Sequence, residues 1–382
     1  MNNLIKVKIF VSNLISQIII ILFSRDQSPI SNKLLVINTE KLGDLIISAD
    51  FLYSIGVNGY YEECDLLISE KFSSLFDWKE LRFNCISINK NKYRYNLLYR
   101  LKIIFLIRRN RYSHVINITQ ERGMINEELT FISGVKRKTA IKGTSLYLPN
   151  IILSRNNKLY ADILDVPGKN EYERLSYYLS KNKIGLVNNN NIFGDEQIPL
   201  NVINSKLKAK NFIIIAPMSS ELDKSWGINN YKQLCSILDD DVVLLGKEEE
   251  RNKLDSICAG RNNIINMGGR LSFKQIAVLM RYCNLYIGND SGLTHFAHQF
   301  NTPLIAIIGG GKYGKFFPYK EREDAVFLYD KMECFGCDWN CIHDKKYCLI
   351  NVTPESVLET ISLFYKSKKG GSGIGSFKNP VI

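Results

Sequence analysis

The sequence predicts two doubly wound α/β domains, each a parallel sheet with helices on both faces. Three observations lead there. The chain has 382 residues, more than the roughly 250–300 at which single cores stop growing. Short apolar runs alternate with helical patterns, as in βαβ units. That alternation breaks once, between Gly185 and Pro199, where Asn188 to Asn191 are all asparagine, and then resumes, so this stretch is the expected linker.

Ile9 to Phe23 is mostly apolar and follows Lys6 and Lys8, as a signal peptide would. Ser12, Asn13, Ser16 and Gln17 interrupt it, no small-x-small cleavage site follows, and an α/β domain starts at Lys33. It is too short and polar for a membrane span. Lys6, Asn13, Gln17 and Ser24 recur at helical spacing. The expectation for residues 1–30 is an amphipathic helix, either lying on a membrane or covering the first domain.

The first domain is expected over residues 31–190. Its strands read as 34–37, 65–68, 85–88, 114–118 and 138–141, and its helices as 43–55, 95–109, 124–132 and 171–183. The second is expected over 200–352, with strands at 212–216, 242–245, 263–266, 285–287 and 304–308 and helices at 230–238, 248–258 and 273–281. A helix from Leu293 to Phe300 follows the fourth of these strands. Thr353-Pro354-Glu355 opens a final helix, assigned to 353–366, with proline in its first turn. The Lys-, Gly- and Ser-rich tail 367–382 is expected to be disordered. Two such halves place a ligand cleft between them, at the carboxyl ends of the strands.

Composition narrows the class. Hydrophobic residues make up 45%, with 19 Phe and 20 Tyr, so the chain is globular. Its net charge of +12 suits nucleic acid, an anionic membrane or an acidic substrate. No nucleic-acid reader motif accompanies the charge, so no nucleic-acid partner is expected. The cations cluster at Lys90, Lys92, Arg94, Arg100, Lys102, Arg108, Arg109 and Arg111. They are either solvated helix faces or an attraction to anionic lipid. Nine cysteines in a chain this long point to a reducing cytosol rather than a disulfide scaffold.

The chemistry-bearing residues fall at strand ends. Gly288-Asn289-Asp290-Ser291-Gly292 joins a buried strand to a helix. A glycine-bracketed turn opening a helix aims backbone N–H groups and a positive dipole end at a crevice, which suits a phosphate. Asp290 can accept sugar hydroxyls there, with Thr294 and His295 one turn further on. An ordinary βα turn capped by Asp290 would use the same residues. Pro217-Met218-Ser219-Ser220 offers hydroxyls and Lys224 a point charge, unless Lys224 is simply a solvated loop lysine. Glu248 follows another strand end, to bind a ribose or base or merely to favour a helix start. Asp44 begins a helix after the first strand, as a cleft carboxylate or a first-turn acid. A P-loop, Gly-x-Ser-x-Gly and His-Glu-x-x-His are all absent, which argues against P-loop NTPases and the common hydrolases.

Cys334, Cys337, Cys341 and Cys348 have C-x₂-C-x₃-C-x₆-C spacing, which lets four sulfurs meet one tetrahedral zinc or iron. Free buried thiols, or disulfides in an oxidising compartment, are the alternatives. A metal there would be structural, remote from the cleft motifs.

In combination these motifs resemble glycosyltransferase family 9, the lipopolysaccharide heptosyltransferases. The resemblance is carried by Lys41-Leu42-Gly43-Asp44, Ala216 to Ser220 with Lys224-Ser225-Trp226, Leu244-Leu245-Gly246 followed by glutamates, and Gly288 to Gly292 with His295 and Thr302-Pro303. Arg108 to Tyr112 and Phe316-Phe317-Pro318-Tyr319 also look like the family. The matches run in order from about residue 33 to 365. The resemblance implies a GT-B fold of two Rossmann-like domains. The first would take the acceptor, the second the nucleotide sugar, and the last helix would pack back on the first. It implies inverting transfer, usually from ADP-heptose, to a lipopolysaccharide core or O-antigen-type glycolipid. Asp44 would be the general base; Ser219, Ser220 and Lys224 would bind the diphosphate, Glu248 would lie near the nucleoside, and Asp290, Ser291, Gly292 and His295 would form the sugar–diphosphate loop. No cofactor would be needed for catalysis. The enzyme would be cytoplasmic and peripheral on the anionic inner membrane. One departure stands out: Gly309-Gly310-Gly311 replaces the family's usual Gly-Pro-Thr. A protein acceptor such as an autotransporter adhesin, and a non-catalytic nucleotide-sugar-binding protein of the same fold, are the alternatives.

Overall fold

Each half builds its sheet from β-branched and leucine runs too apolar to face water on either side, as parallel strands covered by helices require. The computed structural model describes residues 3–119, 121–142, 148–166, 169–197 and 212–369. The chain divides into two units, Met1–Ile192 and Phe193–Ile382.

The first unit begins with α1 (Asn3–Phe23), β1 (Lys33–Asn38), α2 (Leu42–Ile47), α3 (Ala49–Asn58), β2 (Glu63–Ser69), α4 (Trp78–Leu81) and β3 (Asn84–Ile88). It continues through α5 (Lys90–Tyr95), α6 (Leu97–Arg109), β4 (His114–Asn117), α7 (Met124–Phe131), β5 (Arg137–Ile141), α8 (Asn150–Asn157), β6 (Asp162–Leu164) and α9 (Glu171–Lys181). The strands run parallel in the order β3-β2-β1-β4-β5-β6. Leu34 to Ile37 of β1 are wholly buried.

The second unit contains β7 (Ile213–Ala216), α10 (Ile228–Ile237), β8 (Val242–Leu244), α11 (Arg251–Cys258), β9 (Ile264–Asn266) and α12 (Phe273–Tyr282). Then come β10 (Leu285–Asn289), α13 (Gly292–Gln299), β11 (Leu304–Ile307), β12 (Ala325–Leu328), α14 (Tyr347–Ile350) and α15 (Pro354–Lys369). The parallel order β12-β11-β10-β7-β8-β9 repeats that of the first unit. Each sheet therefore has a switch point, β1/β4 in one and β7/β10 in the other, where an open α/β sheet forms its ligand crevice.

The sequence reading misses two edge strands, β6 and β12, each too short for a periodic signal. It also merges α2 and α3, which break at Ser48, and misses α8. The asparagine run ends in a single 3₁₀ turn, Asn190–Phe193. The Ile192 carbonyl accepts the Asp77 N–H in the first unit, while Phe193 packs edge-on against Phe296 and tilted against Phe300 in the second. Residues 198 and 199 of the expected linker, and 370–382 of the expected disordered tail, lie outside the described residues. Val357, Ile361 and Phe364 of α15 are buried in the core of the second unit.

Helix α1 covers the first unit through a mixed face, in which two serines lie beside the buried Ile19 and Ile20. Ser12 and Ser16 are buried; Ser16 Oγ accepts from the Arg100 guanidinium, and the Arg108 guanidinium donates to the Phe23 carbonyl. Much of the expected cationic cluster is thereby corrected. Arg100 is buried against Glu128, and Lys90 pairs with Glu40. Their charges are spent holding helices together, and only Lys92, Lys102, Arg109 and Arg111 of the cluster remain fully exposed.

Candidate functional site

The turn after β10 is built on Asn289, which is fully buried. Its Nδ2 donates to the Pro217 carbonyl at 2.7 Å, and its Oδ1 accepts from Trp226 N–H at 3.1 Å and Tyr231 O–H at 3.0 Å. One side chain thus ties the turn after β10 to the turn after β7, across the switch point. Trp226 donates its indole N–H to the Val352 carbonyl at 2.6 Å, so the Lys-x-Trp element is half ligand candidate and half brace. Thr294 does not reach outward as expected. It is fully buried, donates to the Asn289 carbonyl and lies 3.0 Å from the Tyr286 hydroxyl. It closes the turn.

Lys224 and Asp290 meet within this frame at 2.8 Å, with side chains 11% and 10% exposed. Asp290 Oδ1 is buried and has no hydrogen-bond partner. Such an acceptor costs free energy unless a donor arrives. The His295 ring stacks on Phe317 at 4.0 Å and 2°, and its Nδ1 is 3.2 Å from the Tyr319 hydroxyl. Burial, then the Lys224 charge, hold its pKa well below the usual histidine range. His295 is therefore neutral and braces the loop rather than pairing with an anion as a cation. Ser291 holds the N-cap position of α13 without a side-chain cap bond, and Gly292 opens the helix; Thr294 and His295 N–H groups both donate to the Ser291 carbonyl at 3.1 Å, which leaves the Gly292 and Leu293 amides as the ones a helix start does not satisfy internally. Ser219 is half-buried and Ser220 exposed.

Lys312 escaped the sequence reading. Its ammonium lies 5.7 Å from the centre of the Phe316 ring, and that of Lys224 lies 5.5 Å from the same ring. Lys312 is also 4.0 Å from Glu221, with its side chain 10% exposed. A lysine directly after a glycine run at a strand end was the available signal. Glu248 sits at the end of β8, largely exposed and paired with Arg251 at 2.7 Å.

The triple glycine has a packing reason. A Cβ on Gly310 would lie 2.4 Å from the Phe335 ring, and one on Gly311 2.3 Å from the Trp339 ring. The cysteine-rich loop therefore sits directly on the turn after β11. Gly336 and Asp338 N–H groups donate to the Gly310 and Gly311 carbonyls, both at 2.8 Å. Gly310 N–H donates to the Cys348 thiol, whose pKa burial pushes up. The cysteines are free thiols; the Cys334 pKa is raised by desolvation and then by Cys337 and Cys341, and the same neighbours with Cys334 add to the rise at Cys348. Among the described residues, however, no three His, Cys, Asp or Glu side chains come together as a metal-holding group. The expected four-sulfur convergence is partial: the thiols sit in one neighbourhood without closing on a common point.

In the first unit Asp44 begins α2, and its carboxylate accepts from Lys41 N–H at 3.0 Å. Its pKa is raised to about 7, chiefly by burial, then by the Glu40 charge, against the pull of that N–H. Glu171 is buried, leaves Oε2 without a partner, and has its own pKa pushed well up by burial and by Asp44. Glu40 is held by Asn126 at 2.7 Å and Lys90 at 3.3 Å. Sequence reasoning found Asp44 but not this carboxylate company, of which Glu40 is a near neighbour in the chain and Glu171 a distant one.

The comparisons with known proteins agree with the motifs. The sequence model of "Glycosyltransferase family 9 (heptosyltransferase)" matches residues 144–343, more than half of the chain. The chain belongs to glycosyltransferase family 9. Its fold is GT-B, and it is an enzyme. It is similar to lipooligosaccharide heptosyltransferase 2 of Campylobacter jejuni, 22% identical over 340 residues that cover 83% of this chain and 93% of that protein. Among solved structures, the Escherichia coli heptosyltransferase WaaC with ADP superposes with a TM-score of 0.66 at 14% identity, over 87% of this chain and 99% of that one. The dodecameric iron-containing heptosyltransferase TibC in complex with ADP-D-beta-D-heptose gives 0.54 at 14% identity, over 89% and 78%.

Proposed function

We propose that this family 9 enzyme transfers heptose from ADP-heptose to a lipopolysaccharide-type glycolipid by a single inverting displacement. The observation that carries the reading is the orphaned Asp290 Oδ1 beside Lys224. A buried acceptor next to a buried ammonium suits a sugar hydroxyl next to a phosphate. Relatives named as heptosyltransferases, and a WaaC structure holding ADP, support the choice of donor.

In this reading Lys224, Lys312 and the first-turn amides of α13 take the diphosphate. As the glycosidic bond to phosphate breaks, they stabilise the growing negative charge, a preorganised electrostatic role that needs no proton transfer to the leaving group. Asp290 holds a sugar hydroxyl, and neutral His295 keeps Asp290 in place. Asp44 takes the proton of the acceptor hydroxyl as that oxygen attacks the anomeric carbon. A pKa near 7 suits a base that works at neutral pH. Ser219 and Ser220 supply hydroxyl donors to phosphate oxygens, and Glu248 lies toward the nucleoside.

Cys334, Cys337, Cys341 and Cys348 are proposed as ligands of a structural zinc or iron. Four thiols in one neighbourhood are the right donor set, and the iron-containing TibC has the same fold. Bound metal would draw the loop together over Gly309 to Gly311, away from the reacting atoms.

The test is thermal protection by a panel of nucleotide sugars, followed by mass spectrometry of a lipid-linked acceptor. ADP-heptose should give the largest shift and a product heavier by one heptose. A larger shift with a uridine-linked sugar and no heptosylated product would refute the donor assignment.

A further inference from the structure

Helix α1 turns its hydrophobic side away from the protein. Phe10, Val11, Leu14, Ile18, Ile21 and Leu22 are all exposed, Phe10 at 70% and Leu22 at 65%. At 100° per residue these six positions fall within one arc of about 120°, and no polar residue between Phe10 and Leu22 falls inside it. The opposite side carries Ser12 and Ser16, buried on α5 and α6, with Ile19 and Ile20 beside them in the core. A helix that merely covered a domain would do the reverse. A contiguous apolar face of this kind on a soluble surface marks an interaction site.

The neighbouring helix says what the partner is. Leu98, Lys102, Phe105 and Arg109 follow one another along a single stripe of α6, all exposed. Phe105 packs edge-on against Phe23 at the C-terminal end of α1 at 6.2 Å, so α6 lies beside α1. Alternating hydrocarbon and fixed positive charge matches a lipid surface with anionic headgroups, where apolar side chains enter the acyl boundary and cations stay among phosphates. Among the described residues no helix is long and apolar enough to cross a membrane, so α1 would lie in the plane of the interface.

We infer that the outward face of α1, with the Leu98–Arg109 stripe of α6, docks the first unit onto an anionic membrane surface. The surface is independent of which sugar the enzyme transfers. Lipid vesicles test it without donor or acceptor, so a failure here is separate from a failure of the proposed chemistry.

The assay is cosedimentation of the full chain with phosphatidylcholine vesicles, with and without phosphatidylglycerol. The wild type should bind the anionic vesicles and be released by salt. The triple variant L14Q/I18Q/I21Q should lose affinity on the order of 100-fold or more. Independently, K102E/R109E should lose roughly 30-fold, at about fivefold per cation removed. All five positions are exposed, so thermal melting should stay near wild type. A wild type that remains in the supernatant overturns the inference, and so does a triple variant that binds as tightly as wild type. So does light scattering in which the wild type self-associates through this face and the triple variant becomes monomeric with its vesicle affinity unchanged.

Discussion

Replacing Asp44 with asparagine is expected to lower turnover sharply while making the protein more stable above neutral pH. Burial and the Glu40 charge lift the Asp44 pKa from its usual 3.8 to about 7. Below pH 3.8 the carboxyl is protonated in both the folded and unfolded chain, and costs nothing. Between these values the unfolded chain releases the proton and the folded one holds it, so stability falls as pH rises. Above about 7 the loss is complete. The full displacement corresponds to about 4 kcal/mol; Asp44 keeps partial access to water, which reduces the expected loss to about 2 kcal/mol. Asparagine does not titrate and escapes it. Urea melts from about pH 3.5 to about pH 8 should therefore show the two proteins diverging with pH, with Asp44→Asn the more stable at the alkaline end. Turnover should fall roughly 10²–10⁴-fold, and the wild type should lose kcat/KM on the acid side with an apparent pKa near 7. Near-normal turnover in the variant, or a stability difference that does not change with pH, would refute the assignment.

Glu40→Gln should move that acid limb to lower pH, because it removes a charge that opposes Asp44 ionisation; an unmoved limb in the pH–rate profile would separate the two groups. Lys224→Ala and Lys312→Ala should each weaken ADP binding roughly 10–100-fold, the usual size of a charge-assisted contact, and leave adenosine binding nearly unchanged by calorimetry. Equal losses for both ligands would remove the lysine from the phosphate site. Gly311→Ala should destabilise by about 1–3 kcal/mol, because its Cβ must displace the Trp339 ring, and Trp339→Leu should recover part of that loss in the same melts. Purified protein should carry about one zinc or iron per chain, and Cys337→Ser should lose the metal and lower the melting temperature while ADP affinity persists. Metal-free wild-type protein with four titratable thiols would end the metal reading.

Local chemistry made much of this protein legible in its sequence. Strands with two buried faces must be apolar throughout, so β1, β4, β7, β10 and β11 announced themselves, and their glycine-, serine- and aspartate-bearing ends marked the turns around Asp44, Ser219 and Asp290. Family membership followed from the order of those turns. What the sequence could not determine depends on partners distant in the chain. Arg100 looks like a solvated cation until Glu128 is seen beneath it. Thr294 looks like a ligand contact until Tyr286 and the Asn289 carbonyl claim its hydroxyl. The triple glycine looks like a departure from the family until Phe335 and Trp339 are found seated on it. The elevated pKa of Asp44 needs a burial that only the folded chain supplies, with the Glu40 charge added to it. The apolar side of α1 was visible as a periodicity, but a periodicity has no inside. Tertiary structure alone decided that the serines face Arg100 and the leucines face outward, because hydrogen bonds to buried arginine are available on only one side of the helix.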